Sequence, residues 1–152
     1  DVGQIALTAG EGTTNPSESV LAAVAAVHAS IWLGQRAQLV AMVEVLEPNA
    51  TLGDVIATSL LQGRAALAAL DGHTVEAERG YREALAAWRR LEMLPDVATA
   101  QMEMLRLMGE DLDDPEVLAA EARRILTELG AVPLLARLDE VAPQAREIEV
   151  KT

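Results

Sequence analysis

Two imidazoles, His28 and His73, are the side chains of this sequence best placed to move protons near neutral pH, so acid–base or nucleophilic chemistry would centre on them. His28 stands between Val27 and Ala29 in an apolar stretch with no partner motif around it, which reads as a packed or partly exposed helix residue. His73 precedes Glu76 by three positions at a turn, too little for a metal site by itself. The acids Glu110, Asp111, Asp113 and Asp114 lack the glycine and the terminal Glu spacing of a calcium loop. They are expected instead to favour the positive end of a helix that follows, with Asp114 capping its free amides. Glu76 with Glu78, and Asp139 with Glu140, occupy alternate or adjacent positions that diverge on a helix and make no acid–base pair. Gly10-Glu11-Gly12 lacks a third glycine and places an acid where a phosphate would approach, and the only lysine is Lys151. There is no cysteine, which removes thiolate catalysis, cysteine-bound zinc and disulfides. No catalytic, cofactor-binding or metal-ligating residue is therefore assigned, and no cofactor is expected.

The elements that hold these side chains follow from composition. The chain has 152 residues, one domain by length, and 28 of them are alanine, while Phe is absent and Tyr occurs once. Alanine has the highest helix propensity and lets helices approach closely, so the expected class is all-α. With 12 basic against 24 acidic side chains the net charge is −12, which repels phosphate backbones and anionic lipid. Direct nucleic-acid and membrane partners are not expected. The most apolar stretch, Val20 to Leu33, holds His28 and Ser30 and falls short of the ~20 residues of a membrane span. The start at Asp1 has no basic segment ahead of an apolar one, so no signal peptide is expected, the default compartment is the cytoplasm, and the chain reads as part of a larger protein.

Apolar residues recur at three and four, and breakers divide them into about seven helices. The first runs from Pro16-Ser17-Glu18 to Leu33, and the second from about Gln35 to Glu47. The third is expected to start from Thr51 as N-cap and reach Leu70, and the fourth to run from Thr74 to about Met93. Pro95 opens the fifth, to Met108; Asp114-Pro115-Glu116 the sixth, to Leu129; and Pro133 the last, to Val141. Residues 1–16 and 143–152 read as tails and 17–142 as the helical domain. Met102, Met104, Met108, Trp32 and Trp88 are expected to serve mainly as core.

Gly34, Gly72 and Gly109 each close one helix before another, at separations of 38 and 37 residues, the spacing of a helical-hairpin repeat. A shift of 38 lays Leu39, Val43 and Leu46 on Ala77, Tyr81 and Ala84. The latter three match the second-helix signature of the tetratricopeptide repeat, which this region resembles. In the same register Ala65 takes the small helix-contact position, while Leu61, Arg64 and Arg89 stand where the repeat usually has Trp, Leu and Pro. The run Ala122-Arg123-Arg124-Ile125-Leu126-Thr127-Glu128-Leu129-Gly130, followed by Leu134-Leu135-Ala136-Arg137-Leu138, is similar to the end of such regions in bacterial LuxR-type regulators and multidomain nucleotide cyclases.

That resemblance implies antiparallel hairpins stacked as a right-handed superhelix whose first helices line a concave groove. His28, Ser59, Gln62, Thr99, Glu103 and Arg106 would face or edge it, since these polar groups interrupt otherwise apolar helices. The expected function is a non-catalytic interaction module of a larger bacterial signalling or transcription-regulatory protein, with a protein, a peptide or another domain of the parent chain as partner. The alternative is a sensor domain that binds a small effector in the same groove.

Overall fold

A computed structural model describes residues 16–142, all helices and short connections. The tails expected at 1–16 and 143–152 lie outside these residues apart from Pro16, as does Gly10-Glu11-Gly12. Among the described residues there are seven α-helices and no strand: α1 (Pro16–Leu33), α2 (Arg36–Leu46), α3 (Asp54–Leu70), α4 (Thr74–Arg90), α5 (Leu94–Met108), α6 (Pro115–Leu129) and α7 (Val132–Val141). Proline stands in the first turn of α5, α6 and α7, where its missing N–H costs nothing.

Each helix packs against the next, and α1, α3, α5 and α7 also pack successively on one another. The even-numbered helices make no comparable contact among themselves, so they form an outer layer over an inner one. α4 shows how sequence sorts the faces: Ala77, Tyr81, Ala84, Leu85 and Trp88 are buried at helical spacing, while Glu76, Arg79, Glu83, Arg89 and Arg90 are exposed. Leu39, Val43 and Leu46 on α2 are buried at the positions one 38-residue shift earlier. α3 and α4 approach through small residues, since a Cβ on Gly80 would stand 2.8 Å from that of Ala65. Met102, Met104, Met108 and Trp88 all belong to the core.

The turns depart from the expected pattern in instructive ways. α1 and α3 end as the glycines suggest, with Gly34 at φ +67° and Gly72 at φ +82°. The amides of Gln35 and His73 return to the carbonyls of Ser30 and Ala68 at 2.9 and 2.8 Å. α4 ends in the same left-handed geometry on a non-glycine residue, Glu92, at φ 56°. Its turn closes with Met93 N–H donating to the Trp88 carbonyl at 3.0 Å. Gly109 by contrast has a right-handed φ of −47° and leads into a 3-10 turn, Gly109–Asp111.

Two N-terminal expectations are corrected. Thr51 does not cap α3: it lies inside a 3-10 segment, Glu47–Leu52, and α3 begins at Asp54 after Gly53. The Asp114 side chain makes no capping bond to α6, because its carboxylate accepts a hydrogen bond from Arg82 at 2.7 Å, leaving the Asp114 carbonyl to receive the amides of Val117 and Leu118. Further ion pairs staple the exterior: Arg36 with Asp71, Arg89 with Glu121, and Arg123 with Asp139. Such exposed pairs add only ~0–1 kcal/mol each. Among the described residues no helix is long and apolar enough to cross a membrane.

Candidate functional site

α5 meets neighbours on several sides, namely α3, α4, α6 and α7, so it cannot keep a polar face in water. Its stretch Ala100 to Leu105 is buried without a break, including Gln101 and Glu103. A buried acid carries a large desolvation cost unless donors surround it. Glu103 has three. Gln62 Nε2 on α3 donates to Oε1 at 2.6 Å, Tyr81 Oη on α4 donates to the same oxygen at 3.0 Å, and His28 Nδ1 on α1 lies 3.2 Å from Oε2. Trp88 Nε1 donates to Gln62 Oε1 at 2.8 Å, which fixes the orientation of that amide and extends the network to a second α4 side chain.

The electrostatics follow from this packing. Burial, the largest influence on His28, disfavours its imidazolium, but the hydrogen bond and charge of Glu103, with Asp96 beyond, prevail and raise its pKa above the usual 6.5. Burial, then the charge of Glu103, pushes the Tyr81 phenol well above its ordinary range, so it is a hydrogen-bond donor at any physiological pH. Burial likewise raises Asp96, against a lowering pull from His28. Both oxygens of Glu103 are thus engaged by protein donors, an arrangement suited to holding four helices together.

Beside this network lies a cavity of about 320 Å³ between α1, α5 and α7, walled by His28, Ala29, Trp32, Leu33, Thr99, Met102, Glu103, Leu134 and Arg137. Trp32 carries two cations: the Arg106 guanidinium carbon is 4.6 Å from the ring centroid and that of Arg137 is 5.7 Å away. Neither arginine forms an ion pair among the described residues. A second cavity, of about 530 Å³, lies between α5, α6 and α7 and has an acidic wall of Glu110, Asp111 and Glu116, with Arg106 also lining it. Among the described residues no three His, Asp or Glu side chains converge as a metal-ligand set.

No known protein family, curated protein or solved structure matches this chain. What the site can do is therefore argued from its own side chains.

The six polar residues singled out from sequence fall into three environments. His28, Thr99 and Glu103 line the same cavity, and Gln62 is bonded to Glu103 from behind it. Arg106 lies over the Trp32 ring and lines the other cavity. Ser59 stays apart, fully buried, its Oγ without a protein hydrogen-bond partner. Gln62 is also fully buried, so both are interior groups and not groove-lining ones. Thr99 donates back to the Pro95 carbonyl at 2.9 Å. Three participants were not singled out: Tyr81 as a donor, Trp88 as the residue that orients Gln62, and Arg137. The Arg137 signal was its place on α7 one turn after Leu134, which puts both on one side of a short helix.

Proposed function

We propose that this chain is a non-catalytic recognition module, the regulatory part of a larger bacterial signalling or transcription-regulatory protein, working in the cytoplasm and binding a protein, a peptide or another domain of its parent. One observation carries the reading. The buried acid Glu103 is held by Gln62, Tyr81 and His28, which supports a structural role for the two titratable groups in the cavity wall. The two-layer packing supports the resemblance to tetratricopeptide regions, in which inner helices present the binding face.

A second reading, a sensor for a small effector, is favoured by the cavity at Trp32. Its volume of about 320 Å³ falls at the lower end of the ~300–1,000 Å³ of small-molecule sites.

A thermal-melt screen of the purified chain against metabolites, nucleotides and short peptides tests both. A ligand at a hundred times its Kd adds about 2.7 kcal/mol, and in a domain of this size each kcal/mol moves Tm by about 2–4 °C. A saturable rise from a peptide, lost in Trp32→Ala and kept in Arg79→Ala, supports the interaction module. The same pattern from a metabolite supports the sensor. Turnover of a screened compound that disappears in His28→Ala overturns the non-catalytic reading.

A further inference from the structure

We propose that the cavity between α1, α5 and α7 is a site for a small free organic carboxylate with a flat apolar body, its carboxylate held by Arg137 and its body laid against Trp32. The inference rests on the sensor reading above. It starts from an imbalance of charge. In a chain of net charge −12, most arginines are matched: Arg36, Arg64, Arg82, Arg89, Arg123 and Arg124 each pair with a carboxylate. Arg79, Arg90, Arg106 and Arg137 form no such pair among the described residues, and of these four Arg137 lines the cavity, its guanidinium carbon 5.7 Å from the Trp32 centroid.

The acids within reach do not cancel this charge. Glu103, the carboxylate in the cavity wall, already has His28, Gln62 and Tyr81 on its oxygens. Asp96 acts on His28. Glu110, Asp111 and Glu116 line the other cavity. Among the described residues no carboxylate forms an ion pair with Arg137, and a guanidinium takes a carboxylate through two parallel N–H···O bonds.

The remaining wall describes the rest of the ligand. Trp32, Leu33, Met102 and Leu134 present apolar surface, which suits a flat hydrocarbon or aromatic body. Arg137, at 5.7 Å from the Trp32 centroid, sits near the outer limit of about 6 Å for a cation–π contact. It can therefore turn to a carboxylate at little cost.

The test uses the full chain labelled with ¹⁵N and follows the indole N–H signals of Trp32 and Trp88, assigned with Trp32→Phe, as benzoate and phenylacetate are added. The expected result is a saturable shift of the Trp32 signal with Trp88 unmoved. The apparent affinity should fall at least tenfold in Arg137→Gln, an exposed position whose replacement is expected to leave the melting curve in place. Benzamide and phenylacetamide, the neutral counterparts, should fail to shift it. If the neutral compounds bind equally well, the anion inference falls and the recognition reading survives at an apolar cavity. If only a peptide with a carboxylate end moves Trp32, a free small ligand is excluded and the interaction module stands. If none of these probes moves Trp32, the carboxylate inference and the sensor reading on which it rests fail together.

Discussion

Gln62 on α3 and Glu103 on α5 are 41 residues apart and are joined by a 2.6 Å hydrogen bond in which the amide donates to a fully buried carboxylate. The same oxygen takes the Tyr81 hydroxyl. Removing the acid strands three donors in the interior. Glu103→Ala is expected to destabilise the fold by about 3–5 kcal/mol, the usual cost of breaking a buried charge network from one side. Glu103→Gln keeps one acceptor oxygen and is expected to lose less. Urea unfolding of the two variants checks the order, and equal losses would mean that the network holds nothing.

His28 makes stability depend on pH in a defined sense. Its folded pKa is raised above 6.5, chiefly by Glu103 against the opposing effect of burial. The folded state therefore holds its proton more tightly than the unfolded chain does. The added stability is complete below about pH 6.5 and is lost as pH climbs through the raised value. Tm measured from pH 6 upward should decline for the parent chain, and the decline should flatten in His28→Gln. A parent and variant with parallel profiles would contradict this.

Glu92 occupies left-handed backbone at φ 56°, where a side chain costs about 1–2 kcal/mol. Glycine avoids that cost but loses more entropy on folding. The net expectation for Glu92→Gly is a gain of about 0.5–1 kcal/mol, whereas Gly72→Ala at φ +82° should lose stability. Thermal melts of the pair, moving in opposite directions, confirm the assignment.

The contact of α3 with α4 has no room for a methyl group at Gly80, whose added Cβ would stand 2.8 Å from that of Ala65. Gly80→Ala is expected to destabilise by about 1–3 kcal/mol despite the better helix propensity of alanine. Ala65→Gly should restore much of that loss in the double variant. Additive effects in the double-mutant cycle would place the two residues out of contact.

These examples mark what the sequence conveyed and what it could not. Helix existence was legible because breakers such as Gly34, Gly72 and Pro115 are local signals whose effect depends on their own backbone. The cap at Glu92 was not, since no residue there advertises a left-handed conformation; it goes with the tight turn that Met93 N–H closes on the Trp88 carbonyl. Asp114 had the type and place of a helix cap, but Arg82, 32 residues earlier, competes for its carboxylate. At the candidate site the polar interruptions in apolar helices pointed to Gln62 and Glu103, yet whether such a group faces water or a partner depends on neighbours distant in sequence. Tyr81 looked like a packing residue because its ring is one; its hydroxyl finds Glu103 only once α4 and α5 are docked.

The position of Glu103 also bears on how the molecule comes apart. In an array of helices that touch mainly their neighbours, the ends can open independently, as beads detach from a string. Here one carboxylate on α5 draws donors from α1, α3 and α4, so the first pair of helices cannot open without breaking a bond to the third. Fraying from the α1 end is thereby tied to disruption of the interior. Amide exchange in α1 should follow the rate of whole-domain unfolding.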